Sequence, residues 1–390
     1  MDIEVFKRVG TSGFIFESAG ILDSFKSLTA NWRYYTYSQF SLVILLDDVK
    51  DLIVSSDSDS DSENERKRNL ISSLFVADNI LNINDVYFYI DKVTCDDSTN
   101  GELVVAGKSL RAKALKRIVY RIYHQTKRPE QIIYDHLNNE VINPSQTSRK
   151  IEYLSVISPN QLTAATIDYQ NSYGVVSNEI DGLCSTYDIG INETATNLQN
   201  PHNQLEIVKG RDLSNVVEFN VDFDNLLSES YESSNFDEAT MAWVFGEGEG
   251  TARKNVKLND NLAGLERMEI YVDARDIQQK TQDGNGNDIT LTDAQYLAAL
   301  TSRGISSLAE QQAILTLNGD IDLESSLFEY QKDYQLGDRV RFTSQLFNLT
   351  KTSVLAGLDE TWDSTGHHLS PLWDKESPTV FDIIKRRLKQ

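Results

Sequence analysis

One short stretch limits the architecture more than any other. Gly246-Glu247-Gly248-Glu249-Gly250 stands after an apolar run, Met241-Ala242-Trp243-Val244-Phe245, and ahead of an alternating one, Met268-Glu269-Ile270-Tyr271-Val272. Both flanks read as strands. Glycines at such a place permit positive φ or a close approach of another backbone, and the two carboxylates keep the strand end solvated. A dinucleotide-binding loop would need a helix after its glycines to receive the pyrophosphate. The next residues, Thr251-Ala252-Arg253-Lys254, are charged and lead back to strand, so the glycines read as structural.

The same short-strand pattern begins at the N-terminus with Glu4-Val5-Phe6, Phe14-Ile15-Phe16 and, past a turn near Gly20, Ile21-Leu22. Trp32-Arg33-Tyr34-Tyr35 comes next, its aromatics read as packing anchors. Phe40 to Leu45 is apolar on both faces and is expected at the centre of a sheet. Strands resume over Leu81 to Cys95, strongest at Val86 to Ile90, and over Gly101 to Ala106. Between them residues 55–69 contain no apolar residue and are expected to form a mobile loop. Asp57, Asp59 and Asp61 imitate the first ligands of a calcium loop, but Ser62 stands where glycine is needed and Arg68 where glutamate is needed. Gln282 to Asp288 fails the same test at Ala294 and reads as a turn. Val104 to Ser109 imitates a phosphate loop, yet Glu102 occupies the position of its first glycine.

Helices are expected in three places. Pro129-Glu130 opens one that carries Ile133, Leu137 and Val141 on one face and stops at Asn143-Pro144. A second, from about Gly174 to Asp188, aligns Val176, Ile180, Leu183, Cys184 and Tyr187 and stops at Gly190. A third starts at a capping box, Thr292 to Gln295, with Leu291 and Tyr296 as hydrophobic staple and Leu297, Leu300, Ile305 and Leu308 on its inner side. Strands at Leu205 to Val208 and Val216 to Phe223 are expected to close the region around the first two helices. A compact antiparallel module, including Asp333 to Phe342, runs to Trp362. Residues 377–390 form a short basic amphipathic segment with Val380, Ile383, Ile384 and Leu388 on one side, a candidate docking element.

Composition excludes several functions. The 390 residues carry 37 basic and 59 acidic side chains, a formal charge of -22, which repels nucleic-acid phosphates and argues against specific DNA binding. The one basic block, Lys108 to Arg128, contains no carboxylate and is expected to pair with acidic neighbours. Cys95 and Cys184 lie in apolar patterns and read as buried, reduced thiols, not a disulfide framework. Met1 to Val9 lacks the features of a signal peptide, and no apolar run is long enough to span a bilayer. The five histidines, His124, His136, His202, His367 and His368, show no metal-ligand spacing. No strained nucleophile turn occurs, and no cofactor motif survives inspection, so the chain reads as a non-enzyme.

Several motifs together resemble a family of siphophage tail-tip baseplate hub proteins, similar to the N-terminal part of tail-associated lysins. They are Asp222 to Leu227, the glycine and glutamate run with Gly246, Gly248, Gly250, Thr251 and Arg253, and Val272-Asp273-Ala274-Arg275-Asp276. Arg33-Tyr34-Tyr35 before a phenylalanine-containing strand, Gly107-Lys108-Ser109, Asn143-Pro144, the Tyr334, Leu336, Gly337, Asp338 strand and Trp362-Asp363 extend the resemblance over residues 1 to 375. It implies a mainly β fold with α/β parts: a first small β-barrel over 1–115, an α/β domain over 116–215, a β-rich domain with a capped helix over 216–318, a second barrel over 319–375 and a tail over 376–390. It also implies a homotrimer in the virion tail tip, assembled in the host cytoplasm. Its implied partners are a distal tail protein hexamer, the C-terminus of a tape measure protein, and tail fibre, spike or receptor-binding proteins, with genomic DNA passing through its channel. The carboxylate excess would partly line that channel. The run at 55–69 departs from the family pattern. The competing classes are a cell-wall or glycan hydrolase and a carbohydrate-binding tail component.

Overall fold

The computed structural model describes residues 3–10, 14–45, 73–96, 101–196, 200–226, 228–283, 286–318 and 327–374. The serine and aspartate run at 55–69 and the segment bearing Val380, Ile383, Ile384 and Leu388 lie outside the described residues.

Seven strands open the chain: β1 (Ile3–Arg8), β2 (Phe16–Leu22), β3 (Ser27–Arg33), β4 (Gln39–Leu45), β5 (Ile80–Ile83), β6 (Val86–Asp96) and β7 (Glu102–Ser109). They pair antiparallel in the order β2-β1-β5-β6-β7-β4-β3. Asn84 and Asp85, both at positive φ, make the two-residue turn between β5 and β6 that matches the twist of its strands. β4 is central in order, as expected, but not in burial. Phe40, Leu42 and Ile44 are buried, whereas Ser41, Val43 and Leu45 are half-exposed, because the second core, which covers the other face at Phe6, Ile80, Tyr87 and Tyr89, takes in no residue of β4. Cys95 corrects the sequence reading: past a bulge between Ile90 and Lys92 the end of β6 turns outward, and the thiol is exposed.

The middle of the chain holds β8 (Ile122–Lys127), α1 (Pro129–Leu137), β9 (Leu154–Val156), β10 (Ile167–Ser172), α2 (Val176–Tyr187), β11 (Gly190–Ala195) and β12 (Asn203–Val208). β8 pairs with β10, and β12 lies between β11 and β9. Pro129 stands at the start of α1, which widens into a π turn over Asn138–Ile142 before Asn143. α2 buries Val176, Ile180, Leu183 and Cys184, as its spacing requires, and burial pushes the Cys184 thiol up to about 12. The helix ends at Asp188 in the left-handed conformation; Gly190, expected as the stop, already belongs to β11.

The remaining strands are β13 (Glu218–Phe219), β14 (Ser230–Ser234), β15 (Met241–Phe245), β16 (Asn255–Leu258), β17 (Glu269–Asp273), β18 (Lys280–Gln282) and β19 (Asp288–Thr290). After α3 (Asp293–Glu310) come β20 (Ile314–Asn318), β21 (Arg339–Ser344), β22 (Leu349–Asp363) and β23 (Gly366–Trp373). β13 is shorter than the strand expected over Val216 to Phe223 and does not close the preceding region: it pairs parallel with β21, and Phe219 packs on Tyr334 and Trp373. β15 sits between β16, antiparallel, and β17, parallel. The capping box of α3 is formed, and Leu291 and Tyr296 are both buried. Its inner face is Tyr296, Ala299, Leu300 and Gly304, whereas Leu297 and Ile305 are exposed. Leu300 and, partly, Leu308 face the core as expected, but the stripe is shifted toward Ala299 and Gly304, which carry little hydrophobic signal yet let the helix settle onto Val244 and Leu258.

The chain is thus mostly β with mixed α/β parts. The strands of the two expected barrels share one sheet: β22 pairs with β3 from Gly357–Arg33 to Trp362–Leu28, which brings strands from both halves of the chain into one thirteen-stranded sheet. Among the described residues no ring of strands closes.

Candidate functional site

The signature residues fall into two clusters. In the first, Tyr34 is buried directly after β3, with its hydroxyl accepting from Gly210 N at 3.0 Å. A Cβ on Gly190 or on Gly337 would collide with its ring, so only glycine lets β11 and the entry to β21 close over it. Gly337 also stands at φ +88°. The next residue, Asp338, is wholly buried; it accepts from Arg211 N (2.7 Å), from the Arg211 guanidinium (2.6 Å) and from Gln335 N (3.0 Å). Tyr35 donates to Asp188 at 2.8 Å, and Arg339 reaches the other oxygen of the same carboxylate at 3.0 Å. Burial holds both phenols well above their usual range. Arg33 pairs across the seam with Asp359 on β22 at 2.7 Å. Three parts of the chain, the β3 end, the residues around 188–211 and those around 337–339, are therefore clamped at one junction.

The second cluster is the glycine loop. Arg253 folds back along it, donating to the carbonyls of Gly246 (2.6 Å) and Phe245 (2.8 Å), to the Tyr271 hydroxyl (2.8 Å) and to Asp273 (2.7 Å). Arg275 grips the same aspartate, and the Arg275 hydrogen bonds, followed by that of Arg253, hold the Asp273 carboxyl down at about 2. Gly246 faces the Tyr296 hydroxyl, which accepts from Glu247 N at 2.7 Å and leaves no room for a Cβ. Gly248 and Gly250 adopt positive φ, +104° and +56°. Asp276 is turned the other way and pairs with Arg303 on α3 at 2.8 Å. With the Gly246 amide taken by the Lys254 carbonyl and the Glu247 amide by Tyr296, the loop is a braced corner.

The expected pairing of the basic block is present within the chain. Lys108 meets Asp91, Lys113 meets Asp78, Arg121 meets Glu140 and Lys127 meets Asp135. Arg111 is buried between Asp181 and Glu193, 3.8 Å from each, and Glu193 also accepts from Ser109 and Asn203. Desolvation raises the Asp181 carboxyl to about 6 and lowers the wholly buried His136 to about 3. His367 stacks on Trp362 and contacts Glu360, while His368 bonds Thr365. Among the described residues no group of three His, Cys, Asp or Glu is arranged to hold a metal. Asp188, Gly210 and Arg211 escape the sequence reading; the signal for them is only that each lies just past the end of a helix or strand.

Solved structures place this fold. The prophage tail protein gp18 of Listeria monocytogenes EGD-e matches over 100% of both chains at 11% identity with a TM-score of 0.53. A tail protein of Neisseria meningitidis MC58 matches 96% of this chain and 97% of its own at 12% identity, TM-score 0.52. The 43 kDa tail protein of prophage MuSo2 from Shewanella oneidensis matches 96% of this chain and 98% of its own at 9% identity, TM-score 0.50. The architecture is that of phage tail proteins. The sequence profile of the siphovirus ReqiPepy6 Gp37-like proteins matches residues 15–372, and the chain belongs to that family of bacteriophage tail proteins. No curated protein sequence matches it.

Proposed function

We propose that this tail protein is the hub of the tail tip: a homotrimer that adapts the sixfold tube and a hexameric distal tail protein to a threefold tip, closes the tube and holds fibre, spike or receptor-binding proteins until DNA leaves. The observation that carries this reading is the seam between β3 and β22, which fixes two strand-rich lobes in each chain. Three copies would then offer six lobes to a sixfold ring. The buried Tyr34 and Asp338 junction would keep the lobes at a set angle, the rigidity an adapter needs, and the carboxylate excess would face DNA in transit without holding it. The role is mechanical and non-catalytic, with the C-terminus of the tape measure protein as a further contact inside the tube.

Native mass measurement tests it. The expected species is three copies of the 44.1 kDa chain, binding the distal tail protein as a ring and leaving peptidoglycan intact. A stable monomer at micromolar concentration overturns the adapter; clearing of peptidoglycan moves the protein to the hydrolase class.

A further inference from the structure

A cleft of about 470 Å³ between α2 and α3, with β10 at its side, belongs to neither cluster. Its size lies within the range of ~300–1,000 Å³ common to small-molecule sites. Three of its lining residues stand out. Gln170, on β10, is 2% exposed, yet its carboxamide oxygen and nitrogen both lack a hydrogen-bond partner. Buried amides are almost always bonded. Tyr173, just beyond β10, is held at φ +59°, a conformation bulky residues rarely adopt, while 59% of it is exposed. Backbone bonds with Val119 hold this turn, the Tyr173 amide donating to Val119 O at 3.1 Å, and they leave the tyrosine exposed on the cleft lining. Gly182 lies in the middle of α2, where glycine is a poor helix former, and the nearest atom to a Cβ there would be Glu310 Oε1 at an ordinary 3.8 Å. Packing does not demand a glycine; a longer side chain would project into the cleft.

The charges on the walls narrow the ligand. Arg303 is paired with Asp276 at 2.8 Å, and Glu179 accepts from the Tyr169 hydroxyl at 2.8 Å. An anion would meet the carboxylates of Glu179 and Glu310 with the cation of the wall already engaged. An apolar ligand would leave the Gln170 amide as it is. We propose that the cleft binds a neutral saccharide unit. A sugar ring has a C–H face that an exposed tyrosine ring can cover, and hydroxyls that both donate and accept, matching the Gln170 amide and the hydroxyls of Ser302 and Ser306. The reading is independent of the hub assignment, since it uses no intersubunit contact.

The test uses the full chain in its native oligomer, with the methyl glycosides of glucose, galactose and N-acetylglucosamine as probes, read by saturation-transfer NMR and calorimetry. At least one glycoside is expected to show saturation transfer and weak, saturable binding. Gln170→Leu and Gly182→Met are each expected to weaken that binding about tenfold or more, with an unchanged or raised melting temperature. The first removes an unbonded buried amide, and the second fills the cleft with a better helix former. Tyr173→Gly should relieve the backbone and lose the ring's saturation signal. The proposal is overturned if no glycoside binds, if binding survives both cleft variants, or if a neutral Gly-Ser peptide binds the cleft and the glycosides do not. It also falls if Gln170→Leu lowers the melting temperature with no glycoside bound, the behaviour of a cleft filled by water alone.

Discussion

The Tyr34 junction and the Arg253 corner are made of the same parts, glycines against an aromatic ring beside an arginine–aspartate pair, but they solve different problems. At the junction the partners come from far along the chain: Gly210 and Tyr34 are 176 residues apart, Arg211 and Asp338 127. The carboxylate there is wholly buried and accepts from two backbone amides as well as the guanidinium. At the corner Arg253 and Asp273 are 20 residues apart and partly solvated. One set of contacts fixes the relation of whole regions; the other shapes a single turn. A glycine or an aspartate has a value set by what surrounds it, not by the motif it belongs to.

The sharpest way to break this contrast is Gly337→Ala. The new Cβ meets the Tyr34 ring in a left-handed backbone, and the expected loss is about 3–5 kcal/mol in denaturant unfolding. A loss under about 1 kcal/mol would show a junction that yields by small shifts. Gly250→Ala, at φ +56° with open space around it, is expected to lose only about 1–2 kcal/mol from backbone strain. Equal losses at the two positions would erase the difference between them.

The smallest effect concerns pH. Arg275 and then Arg253 hold the folded Asp273 carboxyl at about 2, below the unfolded value of about 3.9, so its contribution is complete above about pH 4 and is lost as pH falls toward 2. Solvent screening keeps it to about 1 kcal/mol or less. The stability gap between wild type and Asp273→Asn should therefore shrink between about pH 4 and pH 2. A gap that stays constant on acidification would mean the aspartate acts through shape alone.

Legibility in the sequence tracks the range of the forces involved. The α3 capping box, the proline at the start of α1, the apolar stripe of α2 and the strands flanking the glycine run are set by neighbours a few residues away, and all are legible. The exposed Cys95 depends on a bulge that alternation does not announce, and the inner face of α3 on Ala299 and Gly304, residues chosen for smallness. Arg33, Tyr34, Tyr35, Gly337 and Asp338 can be singled out by resemblance, but their meeting with Asp188 and Arg211 cannot. No local pattern encodes which distant strand will lie beside β3.

That pairing also governs how the molecule comes into being. Trp32 on β3 donates to Glu360 on β22, 328 residues later. At ~5–20 residues per second the ribosome delivers the partner only after tens of seconds. Throughout that interval β3 is a bare strand edge, open to the wrong neighbour, including the same edge of another nascent copy. Synthesis of this chain is thus a race between translation and sticking, and the sheet that unites its two ends is the last thing to be finished.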